Sequence, residues 1–143
     1  MTDTLSRAER SERMARVKGK DSRAELMVRS LTHRLGYRFR LHGSNLPGKP
    51  DLVFASREKV IFVHGCFWHR HSRCALARLP KSRLAFWLPK LEKNRLRDKA
   101  NQRSLKRVGW NYLVIWECEL SNSDRIRSRI SKFLGPRRRR ARQ

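Results

Sequence analysis

Acidic residues are scarce in this chain: 12 Asp and Glu stand against 36 Lys and Arg among 143 residues, a formal net charge of +24. Solubility alone asks for far less, so the imbalance points to a polyanionic partner. Long apolar runs are missing as well. No stretch approaches the roughly eighteen unbroken apolar residues of a spanning helix, and no signal-peptide pattern opens the chain. Nucleic acid is therefore preferred over an anionic membrane as the partner. Cysteine is limited to three residues, an odd number without an export signal, which argues against a disulfide framework and for a reducing compartment. A metal site is the better use for such residues. There are no internal repeats, and the length suits one domain with a real core.

Against these absences, one stretch is dense. Val60–Cys74, VIFVHGCFWHRHSRC, opens as a β-branched apolar run and then packs three histidines, two cysteines and a Phe-Trp pair into the eleven residues from His64 to Cys74. Core packing does not produce that density of ligand types. The pattern reads as a metal-pinned loop leaving a buried strand.

The remaining chain is organised around it. Residues 1–20 are polar and arginine-rich, a basic arm that either closes over DNA or is simply solvated; residues 21–135 form the folded domain, and 136–143 a basic, unstructured tail. Ser22 with Glu25 three residues on fits a capping box, and Ala24, Met27, Leu31 and Leu35 recur at helical spacing until Gly36 stops the helix. YRFRL at 37–41 alternates like a half-buried strand. Asp51–Phe54 and Lys59–Val63 read as a hairpin that puts Asp51 opposite Val63, give or take one residue. A helix is expected to begin at Pro89 and run to about Val108, with Leu91 and Leu105 buried and Asn94, Asp98 and Asn101 or Gln102 on the same inward face. WNYLVIW at 110–116 reads as a fully buried strand, and Ile126, Ile130 and Phe133 mark a last helix. Helix, strand, hairpin, helix, strand, helix gives an α/β fold, a central mixed sheet flanked by helices.

Cys66, His71 and Cys74 stand at gaps of four and two residues, and Cys118 is the remaining cysteine. Three thiolates and one imidazole would close a tetrahedral, structural zinc shell, though spacing leaves open whether His69 or His71 is the fourth ligand, and His64 is also within reach. The histidines that zinc leaves free lie beside Asp51, and an acid with a nearby imidazole can bind Mg²⁺ and deprotonate water for phosphodiester cleavage. Polar neighbours favour exposure of Phe67 and Trp68, where aromatic rings could wedge between DNA base steps; core packing is preferred for Phe86.

Taken together, MARVKGKDS at 14–22, LPGKPD at 46–51, HGCFWHRH at 64–71, FWL at 86–88 and WEC at 116–118 resemble the very-short-patch mismatch-repair endonucleases, over about residues 10–133. The resemblance implies a restriction-endonuclease-like fold of the PD-(D/E)xK superfamily, a structural zinc, and a Mg²⁺-dependent nick 5′ to the thymine of a T·G mismatch left by deaminated 5-methylcytosine. It makes Asp51 the Mg²⁺ ligand and His69 the general base. It puts His71 with Cys66, Cys74 and Cys118 in the zinc shell. Glu25 falls near the waters around the metal, and His64 is a further active-site histidine. Asn94 and Asp98 support the site, while Phe67, Trp68 and Trp87 match the intercalating aromatics and the N-terminal segment matches a DNA clasp. Where some members carry Thr, this chain has Val63, which offers Mg²⁺ only its backbone carbonyl. The gap Ser72-Arg73 before the next cysteine is also lengthened. A bacterial, cytoplasmic monomer at the nucleoid is implied, with mismatched double-stranded DNA as partner and mismatch-repair accessory proteins as further ones. Two rivals remain: a related restriction or defence-type nuclease acting on matched or modified duplex, and a zinc-stapled DNA-binding module without catalysis.

Overall fold

The computed structural model describes residues 22–136; the expected arm at 1–20 and the tail beyond Pro136 lie outside the described residues. Helix α1, Arg23–Arg34, starts where the capping signal stands, with the Ser22 hydroxyl accepting from the Glu25 N–H at 3.2 Å. Strands β1 (Arg40–Leu41), β2 (Leu52–Phe54) and β3 (Lys59–His64) follow, then helix α2 (Leu84–Arg107), strand β4 (Asn111–Trp116) and helix α3 (Ser123–Leu134). The four strands lie in chain order in one sheet, antiparallel from β1 to β3 and parallel between β3 and β4. A parallel pair needs a long crossover, and α2 supplies it.

Side chains alternate across the strands and so build two cores. Leu52, Phe54, Ile61, Val63 and Ile115 pack with Val28 and Leu31 of α1 and Ile126, Ile130 and Leu134 of α3. On the other face Val53, Val60 and Phe62 pack with Leu105 of α2. The sheet is thus a middle layer between helices, as the element order implied. No described helix is long and apolar enough to cross a membrane.

Four expectations change. The YRFRL strand shortens to Arg40–Leu41, because Tyr37 turns inward and its hydroxyl donates to the Gly135 carbonyl at 2.5 Å instead of joining a ladder. In α1 the deepest line is Glu25, Val28, Leu31 and Thr32, with Ala24, Met27 and Leu35 only flanking it. Helix α2 begins five residues before Pro89, so the proline sits inside it. The missing N–H frees one carbonyl, that of Ala85, which is exposed to solvent. Finally, β4 is an edge strand with only Ile115 fully buried, since it has a neighbour on one side alone.

The hairpin register is Leu52 with Ile61 and Val53 with Val60, which sets Asp51 across from Phe62, one residue from Val63. Gly48 closes the approach on the other side of Asp51. Its φ of +81° is in the left-handed region, and a Cβ there would meet Phe62 and the Asn101 Cβ of α2 at 3.1 Å. The loop carrying Asp51 is therefore clamped directly between sheet and helix.

Candidate active site and thiol–imidazole cluster

Asp51 precedes β2, and its Oδ2 accepts the Val63 N–H at 2.6 Å. One carboxylate oxygen is thus pinned to β3. Burial pushes this carboxyl up to about 7, against the pull of the Val63 N–H; Glu25 adds to the rise, while His69 and Arg29 oppose it. Glu25, 7% exposed, reaches the same place from the first turn of α1. Glu25, His42 and Asp51 each bring a ligand atom within 4.8 Å of the others.

His64 ends β3 on the α2 side, the face it shares with Phe62. It stacks on His69 at 3.8 Å between ring centres and meets Trp116 edge-on at 5.2 Å. Burial, with His69 next to it, lowers its pKa to about 3, so it is a neutral platform at physiological pH. His69 Nδ1 lies 2.5 Å from Asp98 Oδ2 of α2. An acceptor there puts the proton of a neutral ring on Nδ1 and leaves Nε2 with a lone pair. Asn94, one turn before Asp98, donates through Nδ2 to the Trp68 carbonyl at 3.4 Å, tying the loop to α2. Glu25, Asp51, His64, His69, Asn94 and Asp98 line one cleft of about 1400 Å³, with Lys49, Lys90, Lys93 and Arg97 around it.

A few residues on, Cys66, His71, Cys74 and Cys118 bring their ligand atoms within 4.8 Å of one another, while His69 groups with His64 and Asp98. Cys118 Sγ lies 3.4 Å from His71 Nδ1. Zinc bonded tetrahedrally to sulfur at about 2.3 Å and nitrogen at about 2.05 Å would separate them by about 3.6 Å. The donor set and spacing therefore fit zinc. Cys66 is fully buried, and that burial pushes its thiol up to about 12, a group that stays protonated unless a cation joins it. Position is fixed on both sides. His71 stacks on Trp116 at 4.0 Å, and Cys118 lies on a short turn, Glu117–Ser121, held where Arg129 of α3 pairs with Glu119 at 2.5 Å and donates to the Val114 carbonyl.

The aromatic expectations need correction. Trp68 is only 7% exposed, because Phe67, Trp87 and the loop's own bonds enclose it. Phe86 instead is 47% exposed, since α2 starts early enough to carry it outward, with Arg83 and Lys90 over its ring. Phe67 and Trp87 are half-buried and edge-on at 5.5 Å.

Two residues escaped the sequence reading. Antiparallel pairing of Leu41 with Leu52 carries His42 to Asp51, and Arg29 lies four residues after Glu25 on the same helix face. The pairing of YRFRLH with DLVF was the signal available for His42.

The family model for DNA mismatch endonuclease Vsr matches residues 2–76. The chain is 51% identical over 136 residues to the type II nicking enzyme V.XorIIP of Xanthomonas oryzae pv. oryzae, covering 95% of this chain and 99% of that one. It is 39% identical over 126 residues to the DNA mismatch endonuclease Vsr of Escherichia coli, covering 88% and 80%. The type II nicking enzyme V.NmeAIP of Neisseria meningitidis is 38% identical over 134 residues, covering 94% and 95%. These matches set aside a binding module without catalysis. The mixed sheet between helices fits the restriction-endonuclease-like fold that the match implies, and the chain belongs to the DNA mismatch endonuclease Vsr family: it is a DNA endonuclease.

Proposed function

We propose that this enzyme is a Mg²⁺-dependent nickase that recognises T·G mismatches and cuts 5′ to the mismatched thymine, starting very-short-patch repair. The observation that carries the reading is the convergence in one cleft of Asp51, pinned by the Val63 N–H, and His69, oriented by Asp98. Asp51 and the Val63 carbonyl would hold Mg²⁺, with Glu25 alongside. A buried carboxyl raised to about 7 fits a cation partner, because the cation would remove the cost of its charge. When bound, Mg²⁺ supplies charge neutralisation at the scissile phosphate and makes nearby water more acidic. His69 Nε2 accepts the proton of the attacking water, and Asp98 stabilises the imidazolium that results. Neutral His64 keeps the His69 ring in plane without competing for that proton. Cys66, His71, Cys74 and Cys118 would hold zinc, which supplies a cross-link beyond the ends of β3 and β4.

Half-buried Phe67 and Trp87 would open the base stack at the mismatch, with buried Trp68 packed edge-on against both as their support. The arm at 1–20 would clasp the duplex and the tail at 136–143 add phosphate contacts. The enzyme would act as a monomer on the bacterial nucleoid, with mismatch-repair accessory proteins. A second reading is nicking of matched or modified duplex; the relatives named as type II nicking enzymes support nicking under either reading.

A strand-labelled panel of T·G, matched and methylated duplexes separates the two readings. Nicking is expected on T·G alone, with His69→Ala slower by about 10²–10⁴-fold, the usual contribution of a general base. Equal cutting of matched duplex would favour the second reading. Undiminished nicking by Asp51→Ala or His69→Ala would overturn the site.

A further inference from the structure

On donor chemistry alone, the Glu25, His42 and Asp51 group is a set that could take a transition-metal ion. Arg29 stands in the way. Its Nη2 donates to Glu25 Oε2 at 3.1 Å and lies 3.2 Å from His42 Nε2. A guanidinium carries only donors and does not lose its proton in proteins, so His42 Nε2 must be the acceptor. The Nε2 lone pair that a metal would need is then already engaged. Both members of the Arg29–Glu25 pair are largely shielded, with side chains 14% and 10% exposed, so solvent screens it weakly. The acceptor is held as well. The His42 N–H donates to the Asp51 carbonyl at 3.1 Å, and its φ of 50° is a left-handed conformation that persists only where the surroundings enforce it.

Resting on the reading of Glu25 and Asp51 as the metal-binding end of the active site, we propose that Arg29 and His42 are positioning residues. Arg29 is a built-in cation that occupies the place of a second metal, and His42 is its acceptor; together they aim Glu25 toward Asp51. The arrangement lets two carboxylates lie side by side before any metal arrives. It also confines a free divalent ion to the Asp51 side of the cleft.

The test uses the full, DNA-free chain with Mn²⁺ alone, titrated by electron paramagnetic resonance. Wild type and His42→Leu should bind the same number of Mn²⁺ ions. Arg29→Met, which releases both the imidazole and Glu25, should gain one equivalent that disappears when His42→Leu is added. On a T·G duplex, Arg29→Met should lower kcat by about 10–100-fold, the usual effect of losing a group that orients a metal-site residue, with KM little changed. Arg29→Lys, whose ammonium can donate to both acceptors, should restore most of the rate. Thermal unfolding and bound-zinc content show that the variants are folded. A Mn²⁺ equivalent in the wild type that vanishes in His42→Leu overturns the proposal, and so does wild-type kcat in folded Arg29→Met. Should Arg29→Met not fold, the comparison of wild type with His42→Leu still decides. Asp51→Ala separates the two levels: activity there defeats the functional reading, whereas an inactive Asp51→Ala beside a fully active Arg29→Met defeats only this inference.

Discussion

Asp51 couples cation binding to pH. With its carboxyl raised to about 7, a divalent ion must displace a proton at lower pH, so affinity should weaken about tenfold per unit below 7 and level off above it. Calorimetric titration with Mn²⁺ at several pH values checks this, and a pH-independent affinity would contradict it. The stability of the metal-free protein should run the other way. A carboxyl whose folded pKa lies above the ordinary 3.8 binds more protons in the folded state, so stability falls as pH rises from about 4 to about 7. Asp51→Asn should flatten that slope in thermal unfolding. His64 acts oppositely: its pKa is depressed to about 3, so its contribution falls as pH drops from 6.5 toward 3. At this scale Asp51 and the histidine-rich run were legible, because ligand residues at close spacing have few other uses. Arg29 and His42 were not, because their contact depends on how β1 pairs with β2 and follows from no local pattern.

Among the elements, the loop from His64 to Cys74 stores conformational strain. Arg70 and Arg73 are both left-handed, with φ of 51° and 54°, a conformation costing a non-glycine residue of order 1–3 kcal/mol. Such a loop needs a cross-link. Chelation of the proposed zinc should release it, and because His71 stacks on Trp116, tryptophan fluorescence should change in step with metal loss. Cys118→Ser should reproduce the change without chelator. Unaltered fluorescence in a protein stripped of metal would count against the staple. Helix α2 buries Leu91 and Leu105, and Leu105 packs against Val53, Val60 and Phe62 of the sheet. Leu105→Ala should cost about 2–5 kcal/mol in denaturant unfolding and lower activity as well, since Asn94 and Asp98 ride on the same helix. Caps and alternation revealed α1, the hairpin and α3, because those signals are local. Pro89 misled, since a proline marks the first turn of a helix only where nothing upstream has already started one, and α2 starts at Leu84. The burial of β4 was overstated because apolar character records side-chain type and is silent on whether a strand has one neighbour or two.

For the whole molecule, a charge of +24 on 143 residues dominates long-range behaviour. Binding to any duplex should weaken steeply with salt as phosphate contacts release counterions, and the T·G preference should survive better than the affinity. Titrations at several KCl concentrations test this; a flat salt dependence would mean that the basic surface is not the DNA-binding face. The parallel pairing of β3 with β4 carries one further implication, for the newborn chain. Ile61 finds Leu113 only after all of α2 has been made, so at ordinary ribosome speeds one edge of β3 waits on the order of seconds without a partner. An apolar strand in that state is an invitation to other chains. The intervening segment is rich in Lys and Arg, and like charge of that kind opposes association of neighbouring nascent chains, so the positive charge that would draw the finished enzyme to DNA would also act during its synthesis.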